Sequence, residues 1–370
     1  MVKFVLAIVL ASMLLSLLAC AGKEQKQYQS DHYKDGKFIN LEPFEKDYGF
    51  ARTIDIINKF WFTEFPFTEP DRPIPTQTLT PEQIEQAPNG TLYRLGHSTV
   101  LMKLSGKLIL TDPMFSERAS PFQWIGPKRF HAPPISIEEL PPIDFVLISH
   151  DHYDHLDEST IEQLHEKVGQ FFVPLKVGRY LLDFGVPKEK VQEFDWWQEA
   201  TVGPFRIAAT PSNHFSGRGL FNRDETLWVS WVIIDEATRI YFSGDSGYFS
   251  GFKEIGERYG PFDVTIMENG AYNPDWAHNH MFPDGTVKGH QDLQGKRLLP
   301  VHNGTFKLAF HPWFEPMQQV SDIAKREQVS VLYPMMGQPV HAHKDKMFDP
   351  WWWLPQRSEA TDGFDEAKMH

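Results

Sequence analysis

The chain has 370 residues, 41% of them hydrophobic and 14% aromatic, enough to bury a substantial core, which excludes disorder of the whole chain. A formal charge of −13 without a long basic run excludes general affinity for nucleic acid, whose phosphate backbone needs clustered Lys and Arg. The one cysteine, Cys20, excludes an intrachain disulfide and a Cys-based structural zinc site, so any metal must be held by His, Asp or Glu.

Residues 1–19 read as a signal peptide: Lys3 is their only charge, and Phe4 to Leu18 is almost wholly apolar but short for a membrane span. Leu17-Leu18-Ala19-Cys20 resembles the lipobox of bacterial lipoproteins. That resemblance implies a lipid anchor on Cys20 and, with Ala21 behind it, the periplasmic face of the outer membrane. Residues 20–40 are polar and suit a flexible tether. From 41 to 90, Ile54, Ile57, Phe60 and Trp61 fall at helical spacing before Phe65-Pro66-Phe67 and the prolines from Pro70 to Pro75. This predicts a helical and extended segment packing on the core, with contact to lipid as the second use of its apolar face.

A single α/β domain is expected over 91–360, followed by a tail at 361–370. Its strands are expected at Thr91–Leu95, Thr99–Leu104 and Leu108–Thr111, with Ser105-Gly106 as the hairpin turn between the last two. A Pro-rich loop to Pro142 precedes a buried strand at Phe145–Ser149. Ser159-Thr160-Ile161-Glu162 reads as a capping box opening a helix through Ile161, Leu164 and Val168. Further strands are expected at Gln170–Val173, Phe205–Thr210, Thr226–Ile234, Ile240–Ser243, Val264–Met267, Arg297–Val301 and Val329–Tyr333. Helices are expected at 176–184, 250–259, 284–296 and 314–327.

The chemistry concentrates in Ser149-His150-Asp151-His152-Tyr153-Asp154-His155. His150 and His152 stand two apart at a strand end, so both side chains point to one side, and Asp154 and His155 follow where the chain turns. Imidazole nitrogen and carboxylate oxygen are the donors that zinc takes. Other His and Asp residues recur in the same placement: His214 after Ile207–Thr210, Asp245 after Ile240–Ser243 and His302 after Leu298–Val301. His97 and Asp112 sit at strand ends as well, where they can hydrogen-bond to ligands or simply pack.

The His-x-His-x-Asp-His run with the later His, Asp and His resembles the dinuclear metallo-β-lactamase superfamily. Within it, seven segments are similar to the branch of phospholipases D that hydrolyse N-acyl phosphatidylethanolamine, across about residues 94 to 315. They are Leu95-Gly96-His97-Ser98-Thr99, Leu110-Thr111-Asp112-Pro113, Arg118-Ala119-Ser120-Pro121, Gly126-Pro127-Lys128-Arg129-Phe130, Gly244-Asp245-Ser246-Gly247-Tyr248, Gly270-Ala271-Tyr272 and His302-Asn303-Gly304-Thr305-Phe306. The resemblance implies an α/β fold of four layers, the αββα sandwich of two mixed sheets with helices on the outer faces. It implies one zinc on His150, His152 and His214, a second on Asp154, His155 and His302, and Asp245 between them. Another divalent metal in place of Zn2+ is compatible with the same donors. A bridging hydroxide would be the nucleophile, since zinc lowers the pKa of its water to about 7.

Asp154 is a candidate for orienting that nucleophile, and His280 resembles the branch's histidine next to substrate, with His278 competing because the spacing departs by a small deletion. Lys128 and Arg129 are candidates for binding a phosphate, and Trp196-Trp197 and Trp351-Trp352-Trp353 for either a lipid boundary or the core. The expected activity is hydrolysis of a phosphodiester, a phospholipid cleaved in the manner of phospholipase D. A lactonase on the same site is the enzymatic alternative, and a non-catalytic metal-binding envelope lipoprotein the alternative of another class. Neither headgroup, acyl chain nor oligomeric state is legible in the sequence.

Overall fold

Side-chain alternation along the strands sets the layers, as seen in a computed structural model describing residues 30–42, 55–56, 58–59, 63, 65–219, 221–345 and 348–353. The expected signal peptide, Cys20, Ile54, Ile57, Phe60, Trp61 and the tail lie outside the described residues; 55–56 and 58–59 are helical.

A hairpin of β1 (Tyr33–Lys34) and β2 (Lys37–Phe38) precedes helix α1 (Pro81–Gln86). One seven-stranded sheet joins β3 (Thr91–Gly96), β4 (Thr99–Leu104), β5 (Lys107–Thr111), β6 (Ile143–Leu147), β7 (Val168–Pro174) and β8 (Val191–Phe194), with β16 (Pro339–His341) beside β3. The other, also seven-stranded, runs from β9 (Glu199–Val202) through β10 (Phe205–Thr210), β11 (Ser230–Ile234), β12 (Arg239–Phe242), β13 (Val264–Glu268) and β14 (Arg297–Val301) to β15 (Ser330–Val331). Both are mixed: β5 to β8 and β12 to β15 run parallel, the remaining pairs antiparallel.

On β4, Val100 and Met102 enter the core between the sheets while Leu101 packs outward; on β12, Ile240 and Phe242 face in and Tyr241 faces out. A strand apolar on both faces must be covered on both. Helices α2 (Glu158–Leu164) and α3 (Gly178–Asp183) cover the first sheet, through Ile161, Leu164 and Leu181. Helices α4 (Gly251–Tyr259) and α5 (Pro283–Asp292) and α6 (Glu315–Arg326) cover the second, through Phe252, Ile255, Val287 and Val320. The result is the four-layer αββα sandwich.

The hairpin turn between β4 and β5 is where it was expected: Ser105 and Gly106 both have positive φ, 46° and 75°, and Leu104 pairs with Lys107. Four expectations change. Helix α2 ends at Leu164, and Val168, expected on it, opens β7. Residues 30–40 are seated on the domain in place of a loose tether, because Phe38 is buried in the inter-sheet core and Asn40 bonds to His214. Helix α2 has Asp157 as its N-cap residue with no side-chain cap bond. The Ser159 box therefore does not form; Ser159 lies inside the first turn, and the Asp157 carboxylate takes Ser116 and Thr160 instead. Thr226–Val229 leave the ladder before β11, and Leu227 and Val229 donate to Leu175 and Ser149, tying the two sheets together beside the histidine run.

Candidate metal centre

Parallel strands end on one edge, and that edge is where an open α/β sheet binds its ligands. Asp112 follows β5, the His150–His155 run follows β6, Asp245 follows β12, Glu268 ends β13 and His302 follows β14. The two sheets thus deliver their polar residues to a common seam. His97 (φ 40°), Asp112 (φ 32°) and His302 (φ 64°) hold positive φ, a conformation disfavoured for residues with a Cβ and concentrated at functional sites. Gly244, in the turn before Asp245, has φ 55°, and a Cβ there would lie 2.5 Å from the Ser149 Cβ. Only glycine lets the two sheets' loops approach so closely.

At the centre is the Asp245 carboxylate. Its Oδ2 lies 3.0 Å from His302 Nε2, 3.1 Å from His155 Nε2, 3.7 Å from His214 Nε2 and 3.8 Å from His150 Nε2. On one side, His152 Nδ1 is 2.9 Å from His150 Nε2 and 3.2 Å from His214 Nε2. On the other, Asp154 Oδ2 is 3.4 Å from both His155 Nε2 and His302 Nε2, and 2.9 Å from His97 Nε2. His150, His152, His214 and Asp245 form one group that could hold a metal ion; His97, Asp154, His155 and His302 form another.

The residues fit cations by their own chemistry. Asp245 Oδ1 is buried without a hydrogen-bond partner, and His155 Nε2 and His302 Nε2 meet Asp245 Oδ2 only as ion-pair contacts without hydrogen-bond geometry, a costly arrangement that a metal ion would relieve. Burial and neighbouring imidazoles hold His150 well below the ordinary histidine pKa, so it stays neutral as a ligand must. Against burial, the Asp245 carboxylate pushes His155 well up and His302 up to about 10, so a cation bound there would displace their protons. Burial alone would raise the pKa of Asp245, but His155 and His302 keep it well below the usual carboxylate range. Rings and carboxylates are fixed from behind: Asp112 Oδ2 accepts from His155 Nδ1 at 2.7 Å and from Ser149 Oγ at 2.6 Å, and the Asn279 carbonyl lies 3.0 Å from His214 Nδ1.

The structure brings His150, His152, Asp154, His155, His214, Asp245 and His302 together, with His97 and Asp112 in contact with them. It separates the two competing histidines. His280 packs against His214 and His302, whereas His278 is exposed and lends its carbonyl to Asn213. Lys128 is exposed and paired with Glu117 at 2.8 Å. Arg129 is largely buried, with Nε and Nη2 donating to the carbonyls of Ser116 and Met114, and Nη1 buried without a partner. Trp196, Trp351 and Trp352 are core residues, so the lipid-boundary alternative for them is withdrawn.

One participant was not anticipated. Glu268 is fully buried; its Oε1 is 2.7 Å from His280 Nδ1 and its Oε2 accepts the Ser246 amide at 2.7 Å. Burial, followed by the nearby Asp245 carboxylate, raises its pKa well above the usual range. The signal in the sequence was a lone acid directly after the apolar run Val264–Met267.

Residues 107–303 match the family model described as "Beta-lactamase superfamily domain". An N-acyl-phosphatidylethanolamine-hydrolyzing phospholipase D of Caenorhabditis elegans is 33% identical over 266 residues, 68% of this chain and 75% of that protein. The outer membrane protein RomA of Klebsiella pneumoniae is 50% identical over 98 residues, 26% of this chain and 74% of that protein. Among solved structures, the metallo hydrolase Igni18 of Ignicoccus hospitalis superposes with a TM-score of 0.51 at 22% identity, covering 68% of this chain and 97% of its own. With the sandwich, the seam of histidines and carboxylates and a matched segment spanning more than half its length, the chain belongs to the β-lactamase superfamily and is a metal-dependent hydrolase.

Proposed function

We propose that this hydrolase cleaves phosphodiesters, and phospholipids in particular, in the manner of phospholipase D at a site for two divalent cations. His150, His152 and His214 would hold one, Asp154, His155 and His302 the other, with Asp245 between them. The observation that carries this reading is the Asp245 Oδ2 within 3.0–3.8 Å of imidazole nitrogens from both groups. A carboxylate so placed would serve a cation held by either group. Zinc or a similar ion held there would supply Lewis-acid polarisation of a phosphoryl oxygen and acidify a water. The relative in C. elegans, named for phospholipid hydrolysis and matched over three quarters of its length, supports the lipid substrate.

The chain's own residues do the rest. Asp154, touching His97, His155 and His302, is placed to orient the attacking water as well as to bind metal. Water attacks phosphorus, the bond to the headgroup oxygen breaks, and phosphatidic acid and the headgroup alcohol leave. Burial pushes the His280 pKa down to about 4, so its ring is neutral. It passes a proton from Nε2 to that leaving oxygen while Nδ1 takes one from Glu268, whose raised pKa keeps its carboxyl protonated. Lipid attachment at Cys20 would keep the enzyme beside such a substrate in the cell envelope, a placement that the RomA match supports.

The test is a panel of N-acyl phosphatidylethanolamines, other phospholipids and acyl-homoserine lactones, with products followed by mass spectrometry and metal counted in parallel. Headgroup release with two metal ions per chain, abolished by Asp245→Ala, is expected. Lactone opening without headgroup release would reverse the substrate, and fewer than two ions per chain would refute the paired site.

A further inference from the structure

Large apolar side chains should be inside, and among the described residues nearly all of them are. Of the eight large apolar side chains exposed among the described residues, four stand out, all on loops: Phe67, Phe122, Trp124 and Phe221, at 55%, 54%, 76% and 92%. The other four, Leu182 on helix α3 among them, are at 37–45%. Trp124 is the one described tryptophan with most of its surface in solvent.

Anchoring contacts put these loops side by side. The loop bearing Phe122 and Trp124 is fastened where the Ser116 amide and hydroxyl donate to Asp157. The loop bearing Phe221 is fastened where Arg218 Nη1 donates to the carbonyls of Asp151 and Leu156. Leu156 and Asp157 are consecutive and follow His155 directly. Phe67 joins them from the far side: its carbonyl accepts from Trp313, and its neighbour Thr68 lines a small cavity with Phe130, Phe306 and His302.

Charge follows the same loops. Around Phe122 and Trp124 stand Arg118 and Lys128 against Glu117, with Arg129 turned inward; Arg218 and Arg223 flank Phe221, and Arg223 is paired with Asp224 at 3.4 Å. The first loop thus carries a local excess of cation, and the second is balanced, on a molecule of net charge −13. Exposed aromatic rings among cations, on an otherwise acidic protein, complement an anionic lipid surface, where rings settle at headgroup level and Lys and Arg reach phosphates. A protein partner of high affinity would be expected to meet a broad apolar patch; here the rings stand on separate loop tips with cations between them.

We propose that the loops carrying Phe122, Trp124 and Phe221 form a docking surface for a negatively charged bilayer, which seats the metal cluster against the headgroup layer. The surface is argued from exposure and charge alone, while its use in feeding substrate to the cluster rests on the phospholipid reading above. It differs from a lipid anchor, which tethers the chain without orienting it.

The full chain is added to vesicles of phosphatidylcholine and phosphatidylglycerol in equal parts, with and without bromine on the acyl chains. Brominated lipid is expected to quench part of the tryptophan emission, and Trp124→Phe to remove that part, less so at high salt. A triple variant, F122S/W124S/F221S, is expected to lose on the order of tenfold or more in kcat/KM on vesicle phospholipid. It should turn over the water-soluble diester bis(p-nitrophenyl) phosphate like the parent. Equal quenching in the parent and Trp124→Phe, or vesicle hydrolysis unaffected by the triple variant, overturns the docking surface. Failure of both proteins on soluble and vesicle diesters alike refutes the phosphodiester reading instead, leaving the quenching to decide the docking surface by itself.

Discussion

Glu268 and His280 show how much a single contact can decide. An imidazole that must deliver a proton needs one nitrogen fixed and the other free to face the reacting group, and a buried carboxyl 2.7 Å from Nδ1 fixes it. Glu268→Gln keeps the shape but changes the donor and acceptor on that side. It is expected to lower kcat roughly tenfold to a hundredfold, a range typical of groups behind a catalytic residue, with little change in KM. His280→Gln should cost at least as much, and the double variant should be no slower than His280→Gln alone. Additive losses in steady-state kinetics would mean that Glu268 acts independently of His280. The sequence made His150, His152, Asp154 and His155 legible, because four donors within six residues at a strand end are rare by chance. It left Glu268 unread, since a lone acid after an apolar run has no spacing partner, and only the fold brings it to His280. The same holds for the choice between His278 and His280, two residues apart in sequence, one outside the cluster and one in it.

Elements position these residues, and their packing has its own pH dependence. Helix α5 lies against β13 through His290, buried, with Nδ1 2.6 Å from Thr265 Oγ1. Burial pushes the His290 pKa down to about 4 from the ordinary 6.5. Its neutral form is the one that folds, so its contribution to stability is complete above pH 6.5. The unfolded chain binds the proton first, and stability falls as pH drops from 6.5 towards 4. Between pH 7.5 and 5 the loss from this one group is about 2 kcal/mol. Urea titrations of chelated protein at both pH values should show His290→Gln removing that share of the dependence; an unchanged slope would assign it elsewhere. Gly244 makes a second case. Gly244→Ala forces a Cβ to 2.5 Å from Ser149 at φ 55°, and should cost more than ~2 kcal/mol in the same titration. Strands that are near-continuous buried runs bounded by turn residues, such as β4 and β10, were legible to the residue. β8, β9 and β16 were not, being short and partly exposed, so that partners set them more than their own pattern does. The Ser159 box failed because the helix starts earlier, at Glu158, with Ser159 inside its first turn and the N-cap Asp157 held by Ser116.

At the scale of the whole molecule, the cluster joins two halves that meet elsewhere mainly through apolar contact. His150, His152, Asp154 and His155 come from the first sheet's edge, His214, Asp245 and His302 from the second's. Cations held there cross-link the sandwich, and the unfolded chain offers no comparable site, so binding must stabilise the fold. At a free metal concentration 100 times the dissociation constant the gain is about 2.7 kcal/mol per site, worth roughly 2–4 °C per kcal/mol in a domain of this size class. Chelation should therefore lower Tm by several degrees and zinc should restore it. His155→Ala, which removes a ligand beside the shared carboxylate, and Asp245→Ala, which removes the carboxylate itself, should both start with a lower Tm and respond little to added zinc. If both variants regained the same increment as the parent, the stabilising ions would be bound elsewhere. The cluster would then be a polar seam, with its orphaned nitrogens left to be explained without metal.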